Sequence, residues 1–130
     1  MLRPSRVARS HTDLWVWQLS YELKVAIDAF VEARPVAPKR NAQLHNRLRR
    51  SASTAPQLVA EGFARHLSRQ FVDYLQRADA ELNQTLNALT LGCDRGCFTD
   101  DEVAELRRRA TRASHAINAL IRYLKLANAA

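Results

Sequence analysis

Arginines concentrate in one part of this chain. Residues 33–69 contain eight lysines and arginines but one acidic residue, Glu61, whereas basic and acidic residues are equal in number on either side. The whole formal charge of +7 therefore lies in this segment. Guanidinium groups bind phosphate and carboxylate oxygens, so a local excess of this size attracts polyanions. For any single arginine, a solvated surface position is the simpler explanation.

The basic segment has the spacing of a helix. Its polar residues recur every three or four positions from residue 40 to residue 65, which places them on one stripe. A second basic run, LRRRATR, spans residues 106–112, although pairing with Glu105 explains part of it. The candidate nucleic-acid-binding residues are Arg40, Arg47, Arg49, Arg50 and Arg65, with Arg108 and Arg112 as a second group.

Other reactive side chains do not form a catalytic or metal-binding pattern. Cys93 and Cys97 lack the two-residue spacing and the second ligand pair of a zinc site, and a local disulfide is the remaining alternative. The four histidines are scattered, and no glycine-rich phosphate loop is present. Glu61 lies four residues before Arg65, where an ion pair is a simpler role than a general base. We therefore expect no enzyme activity, no cofactor and no metal.

The elements that must position these residues are helices. Glycine and proline are scarce, and four apolar-periodic segments at about 13–33, 40–65, 68–92 and 99–127 are separated by short breaks. Short connections between long helices predict an all-α, antiparallel, up-down-up-down four-helix bundle. Thr12 is the predicted cap of the first helix, and Thr99 with Glu102 forms a capping box for the fourth. Gly92 and Gly96 are predicted to adopt positive φ in the last turn.

Pro56 lies in the middle of the second helix. The polar stripe and the apolar stripe beside it both keep their phase across this residue, which favours one helix kinked at Pro56. The alternative is a new helix that starts at Thr54, with Gln57 three residues later. Gly62 is predicted to mark a close approach of another helix.

The first helix carries more apolar residues than one buried face requires. Two apolar stripes follow it, and they are either a wide core stripe or a core stripe beside a subunit interface, where aromatic residues are enriched. The candidate interface residues are Leu14, Trp15, Trp17 and Tyr21.

Length and hydropathy limit the remaining possibilities. A chain of 130 residues fits one domain, which we place at 12–127 after a basic, flexible tail at 1–11. No apolar run approaches the roughly 20 residues of a membrane span, and the first residues lack the apolar stretch of a secretory signal. We expect a cytoplasmic protein without membrane contact.

Four stretches, DLWVWQLSYEL, LRRSASTAPQLVAEGFAR, FVDYLQRADAEL and LTLG, resemble the bacterial four-helix-bundle family associated with intervening sequences of 23S rRNA genes. The resemblance covers about residues 12–126. Its most specific part is the pattern R-R-x5-P-x3-A-E-G-x2-R, from Arg49 to Arg65, although Leu58 replaces the usual asparagine. Accessory proteins of diversity-generating retroelements are more distantly similar. The resemblance implies a compact bundle, often a homopentameric ring, without known catalytic activity and with a suspected role with nucleic acid.

Two classes of function remain from the sequence. The first is a homo-oligomeric module, expected to be a pentamer, that binds RNA or DNA backbone without reading the bases. RNA is the expected ligand. The second is an oligomeric adaptor whose basic face docks an acidic protein such as a polymerase or reverse transcriptase.

Overall fold

The computed structural model describes residues 8–34 and 39–129, and this part of the chain contains four α-helices and no strand. The prediction of an all-α protein is confirmed. A 3-10 helix at His11–Asp13 comes first, and it is followed by α1 (Trp15–Glu32), α2 (Lys39–Phe63), α3 (Ser68–Asp94) and α4 (Asp100–Ala129). No helix in the described ranges is long and apolar enough to cross a membrane.

Each helix packs against two others. Both α1 and α3 contact α2 and α4, whereas no Cα atoms of α1 and α3, or of α2 and α4, come within 8 Å of each other in the described residues. The shared core is made of aliphatic side chains from all four helices, and burial of this apolar surface is the main stabilising contribution. Its fully buried members include Leu23, Ile27, Leu48, Val59, Leu75, Leu82, Val103 and Ile117.

The predicted N-terminal cap is present at the start of α4 but not at the start of α1. Thr99 and Glu102 form the predicted capping box, since the Thr99 amide donates to Glu102 Oε1 at 2.8 Å and the Glu102 amide donates to Thr99 Oγ1 at 3.2 Å. Thr12, however, does not cap α1. It lies in the 3-10 helix and its hydroxyl contacts Ser10 Oγ, while Asp13 accepts the amides of Arg9 and Ser10.

The described residues begin before the predicted domain boundary. Residues 8–11 fall in the tail predicted to be flexible, yet Ala8 packs against the core and His11 meets Trp17 edge to face, with ring centroids 5.1 Å apart. Residues 1–7, the rest of that tail, lie outside the described residues.

The two glycines after residue 90 have different roles. Gly96 has a φ of +73°, as predicted for the turn that follows α3. Gly92 does not have a positive φ, because it lies within the last turn of α3, where it is buried, and not in the loop that follows. A Cβ atom at Gly92 would collide with the ring of Phe98, so glycine is needed there for packing.

Helix α2 is continuous through Pro56. It runs from Lys39 to Phe63 with the proline inside, so the alternative of a new helix at Thr54 is wrong. Thr54 Oγ1 instead donates to the carbonyl of Arg50 at 2.7 Å, four residues earlier on the same helix. The predicted polar stripe therefore lies along a single helix as far as Glu61, while Arg65 follows the end of that helix.

Candidate nucleic-acid interface

Two arginines on the outer surface of α2 are exposed and carry uncompensated charge. Arg47 and Arg50 are both exposed, and neither forms an ion pair with a described residue. Gln43 and Gln57 are exposed on the same helix. Because no carboxylate neutralises these guanidinium groups, they remain available to an external anion.

Arg65 does not pair with Glu61 as predicted. Its Nη2 atom donates to the hydroxyl of Tyr74 on α3 at 2.7 Å, and its Cζ atom lies 5.1 Å from the centroid of the Tyr74 ring. Arg77 approaches the same ring from α3, with Cζ 4.9 Å from the centroid. Arg65, Tyr74 and Arg77 thus form one group, which we call the tyrosine–arginine cluster.

Tyr74 and Arg77 were missing from the candidate residues. Arg77 is exposed on α3. The missed signal was the spacing of three residues between Tyr74 and Arg77, which places the two side chains beside each other on a helix. The contribution of Arg65, two residues after the end of α2, could not be read from local spacing, because it depends on how closely α3 approaches at Gly62.

Arg49 is directed towards α1 rather than along the exposed stripe. Its Nη2 atom lies 3.9 Å from Glu32 Oε1, its Nε atom is buried, and 44% of its side-chain surface is exposed. Arg34, also from the basic segment, donates to Glu102 Oε2 at 2.8 Å and lies 4.1 Å from the centre of the Phe30 ring. These two arginines therefore take part in holding the helices together.

His45 is buried beside these two arginines. Burial first, and then the positive charges of Arg49 and Arg34, lower the pKa of His45 below its ordinary value. The side chain of Arg40, another predicted site residue, lies outside the described residues.

The second basic run is not brought to the α2 surface. Arg108 is paired with Glu105, at 2.6 Å between Nη2 and Oε1, as the sequence suggested. Arg109 pairs with Glu105 and with Glu22 of α1. Arg112 is exposed without an ion pair to a described residue, but no Cα atoms of α4 and α2 come within 8 Å of each other in the described residues. The two predicted groups of arginines are thus separate in one chain.

Of the four predicted interface residues, Leu14 was assigned wrongly. It is 1% exposed and lies in the core, so it has no surface to offer a partner. Trp17 is half-buried and stacks on Tyr21, with centroids 4.7 Å apart. Trp15, Tyr21 and Val25 are 40%, 42% and 48% exposed.

The two cysteines are free thiols held by neighbouring side chains. Cys97 Sγ donates to Asn41 Oδ1 at 3.1 Å, and Arg107 donates to Cys93 Sγ at 3.6 Å. Burial and a hydrogen bond with Asp100 raise the pKa of Cys93, against the lowering influence of Arg107. A raised pKa keeps this thiol protonated and makes it a poor nucleophile.

The sequence profile of the 23S rRNA-intervening sequence protein family matches residues 12–119 of the chain, which span all of α1, α2 and α3 and most of α4. The chain belongs to this family. The comparison with individual curated proteins found no match. In this family member, Leu58, at the position where the family pattern has asparagine, is 7% exposed and packs in the core.

Proposed function

We propose that this chain is a non-catalytic, homo-oligomeric protein that binds the phosphate backbone of nucleic acid through the outer surface of α2. The observation that carries the proposal is the pair of exposed arginines, Arg47 and Arg50, that no described carboxylate neutralises. The family is named for 23S rRNA, which favours RNA over DNA. Contacts to phosphate oxygens position a protein on nucleic acid without selecting a sequence.

The proposal includes an antiparallel arrangement of neighbouring helices. Gly62 near the end of α2 faces Tyr74 near the start of α3, whereas Leu44 near the start of α2 lies beside Gly92 near the end of α3. In the middle, Ser51 contacts Thr85 at 2.8 Å. Pro56 has no amide hydrogen for the carbonyl of Ala52, so we expect α2 to bend there.

Oligomerisation is the second part of the proposal. Tyr21 and Val25 lie on α1, where buried Leu23 and Ile27 point into the core from alternate positions. A second copy of the chain would remove this exposed apolar surface from water. A pentameric ring, as the family resemblance implies, would repeat the α2 surface five times and strengthen a weak contact by avidity.

An acidic protein surface is the competing ligand, because Arg47 and Arg50 would bind carboxylates by the same bonds. In this second reading the oligomer is an adaptor for a polymerase or reverse transcriptase. Purification from the native host with and without nuclease separates the two. Nucleic acid that co-purifies and is lost on nuclease treatment supports binding, and an acidic protein retained after nuclease supports the adaptor.

The direct test replaces Arg47, Arg50 and Arg65 by glutamine in one variant. Wild-type binding to a non-specific RNA is expected at about 10⁻⁴ to 10⁻⁶ M per site, with a steep decrease as salt rises. If each arginine neutralises one phosphate, the variant should lower the slope of log K against log salt by about two to three. Fluorescence anisotropy across a salt series measures both quantities.

A control with the same change of charge uses Arg95, Arg122 and Lys125, which are exposed and form no ion pair with a described residue. Their replacement by glutamine should leave the salt slope near the wild-type value. Equal losses in both variants would mean that net charge alone drives binding. An unchanged slope in the α2 variant would move the contact elsewhere, first to Arg108 and Arg112.

A further inference from the structure

The tyrosine–arginine cluster combines groups of two kinds. Arg65 and Arg77 contribute positive charge, and Tyr74 contributes a flat aromatic ring within about 5 Å of both guanidinium carbons. Neither arginine forms an ion pair with a described residue, although Glu61 lies one helical turn before Arg65 and Asp73 one turn before Arg77. Their charge is therefore offset by the face of the ring rather than by a carboxylate.

The cluster is held in place by the packing of α2 on α3. A Cβ atom at Gly62 would lie 2.5 Å from Tyr74 Cβ, so the absence of a side chain at Gly62 allows Tyr74 to sit directly on α2. The hydrogen bond from Arg65 to the Tyr74 hydroxyl then links the segment that follows α2 to α3. Side chains fixed before binding lose less conformational entropy when a ligand arrives.

This combination fits one ligand better than the others. A phosphate or a carboxylate needs the charge alone, and the bases of a duplex are stacked on each other and have no free faces. An unpaired base has a free face that stacks on an aromatic ring or on an arginine plane, while its neighbouring phosphates meet the charge. Beside the cluster, the connection between α2 and α3 exposes His66 and Leu67, the latter at 51%.

We propose that the tyrosine–arginine cluster is a stacking site for an unpaired base of single-stranded RNA. This inference rests on the proposed function and adds a strand preference to it. Arg77 supplies a flat guanidinium group for stacking and a positive charge. Arg65 supplies a second positive charge and the hydrogen bond that orients the Tyr74 ring. The Tyr74 ring lies against both guanidinium groups. Stacking tolerates every base, so the site selects single strands over duplexes without selecting a sequence.

The test compares an unstructured 20-nucleotide RNA with an RNA duplex of the same length, using the full-length protein and fluorescence anisotropy. Arg77→Lys keeps the charge but removes the plane, so it should weaken single-strand binding about fivefold or more and leave duplex binding nearly unchanged. Arg77→Gln should weaken both. Tyr74→Leu should weaken single-strand binding about tenfold, and Tyr74→Phe, which keeps the ring, should lose less.

Arg95→Gln is the matched control, since Arg95 is an exposed arginine directly after α3 with no ion pair to a described residue. It should preserve the preference for single strands. If Arg77→Lys lowers single-strand and duplex binding equally, or if neither Arg77→Lys nor Tyr74→Leu changes the ratio of the two affinities, the stacking site is wrong while backbone binding by α2 still stands. If the wild-type protein binds neither RNA at low salt, the proposed function falls and the stacking site falls with it.

Discussion

Three nitrogen atoms of basic side chains are buried without a hydrogen-bond partner in the described part of the chain, namely Arg34 Nε, His45 Nδ1 and Arg49 Nε. Such atoms are rare in folded proteins and costly when charged. The two arginines place their terminal nitrogens near Glu102 and Glu32 and so retain a partner for the charge. His45 has no carboxylate among its hydrogen-bond or ion-pair partners, and it is 6% exposed. The folded chain therefore favours the neutral form of this imidazole.

The preference of the folded chain for neutral His45 predicts that its stability depends on pH. Because the pKa of His45 is lowered in the folded state, the unfolded chain takes up a proton first as pH decreases. The contribution of His45 to stability is therefore fully present above the unfolded value of about 6.5 and is lost as pH falls through the folded value. Urea unfolding can be measured at a series of pH values between 7.5 and 5, at fixed protein concentration. The free energy of unfolding should decrease as the pH is lowered.

Two variants assign this effect to His45. His45→Gln cannot titrate and should flatten the pH dependence, even if the variant is less stable overall. His115→Gln, at an exposed position on α4, should keep the wild-type slope. Glu102, whose pKa is lowered by the hydrogen bond from Arg34 and then by that from the Thr99 amide, contributes only at more acidic pH. A wild-type slope in His45→Gln would contradict the assignment.

At the scale of the elements, the contact between α2 and α3 depends on Gly62. A Cβ atom there would lie 2.5 Å from Tyr74 Cβ and 3.0 Å from Phe71 Cδ1, and both neighbours are attached to a helix that cannot move independently. Gly62→Leu should therefore lower the free energy of unfolding by about 1 to 3 kcal/mol through overpacking. Chemical denaturation measures this change.

Ala64→Leu is the control for this prediction, because Ala64 is exposed one residue after the end of α2. Its effect should stay within about 0.5 kcal/mol, as for most surface substitutions. If Gly62→Leu unfolds at the wild-type denaturant concentration, α2 and α3 do not approach each other as closely as the structure shows.

Features that depend on local sequence were predicted well. The four helices follow from apolar periodicity, and the Thr99–Glu102 capping box follows from residues three positions apart. Gly62 was also predicted correctly as a close approach, because glycine within an otherwise apolar-periodic helix usually has a packing reason.

Two of the errors arose where packing with another part of the chain decided the outcome, and one arose where neighbouring residues formed a different local structure. Arg65 was expected to pair with Glu61 on its own helix, but the Tyr74 hydroxyl on α3 accepts its hydrogen bond. Thr12 was expected to cap α1, but the 3-10 helix before α1 takes up that residue. Leu14 was assigned to an interface, but the end of the bundle buries it. Local spacing contains no information on the distant neighbours of Arg65 and Leu14.

At the scale of the whole molecule, the distribution of charge does not produce one basic groove. The uncompensated arginines of α2 and Arg112 of α4 belong to helices that are not neighbours in the described residues, since none of their Cα atoms come within 8 Å of each other, while α1 presents apolar rather than basic surface. A single chain therefore offers one short basic surface, in keeping with weak binding. Assembly through α1 would leave α2 free and would bring several such surfaces to one nucleic acid.

This arrangement predicts that the isolated protein has a mass several times that of one chain. A pentamer would have about five times the 14.8 kDa of the monomer, as measured by light scattering at micromolar concentration. Replacing both Tyr21 and Val25 by serine removes exposed apolar surface from α1 and should shift the mass towards the monomer. The same change at Tyr123 and Leu126, which are 62% and 72% exposed on α4, should leave the mass unchanged.

The Tyr21 and Val25 variant should also bind RNA more weakly than wild type while every arginine of α2 is intact, because avidity is lost with the assembly. A wild-type protein of monomer mass, or a dissociated variant that binds RNA as tightly as wild type, would show that the α1 surface does not serve this assembly.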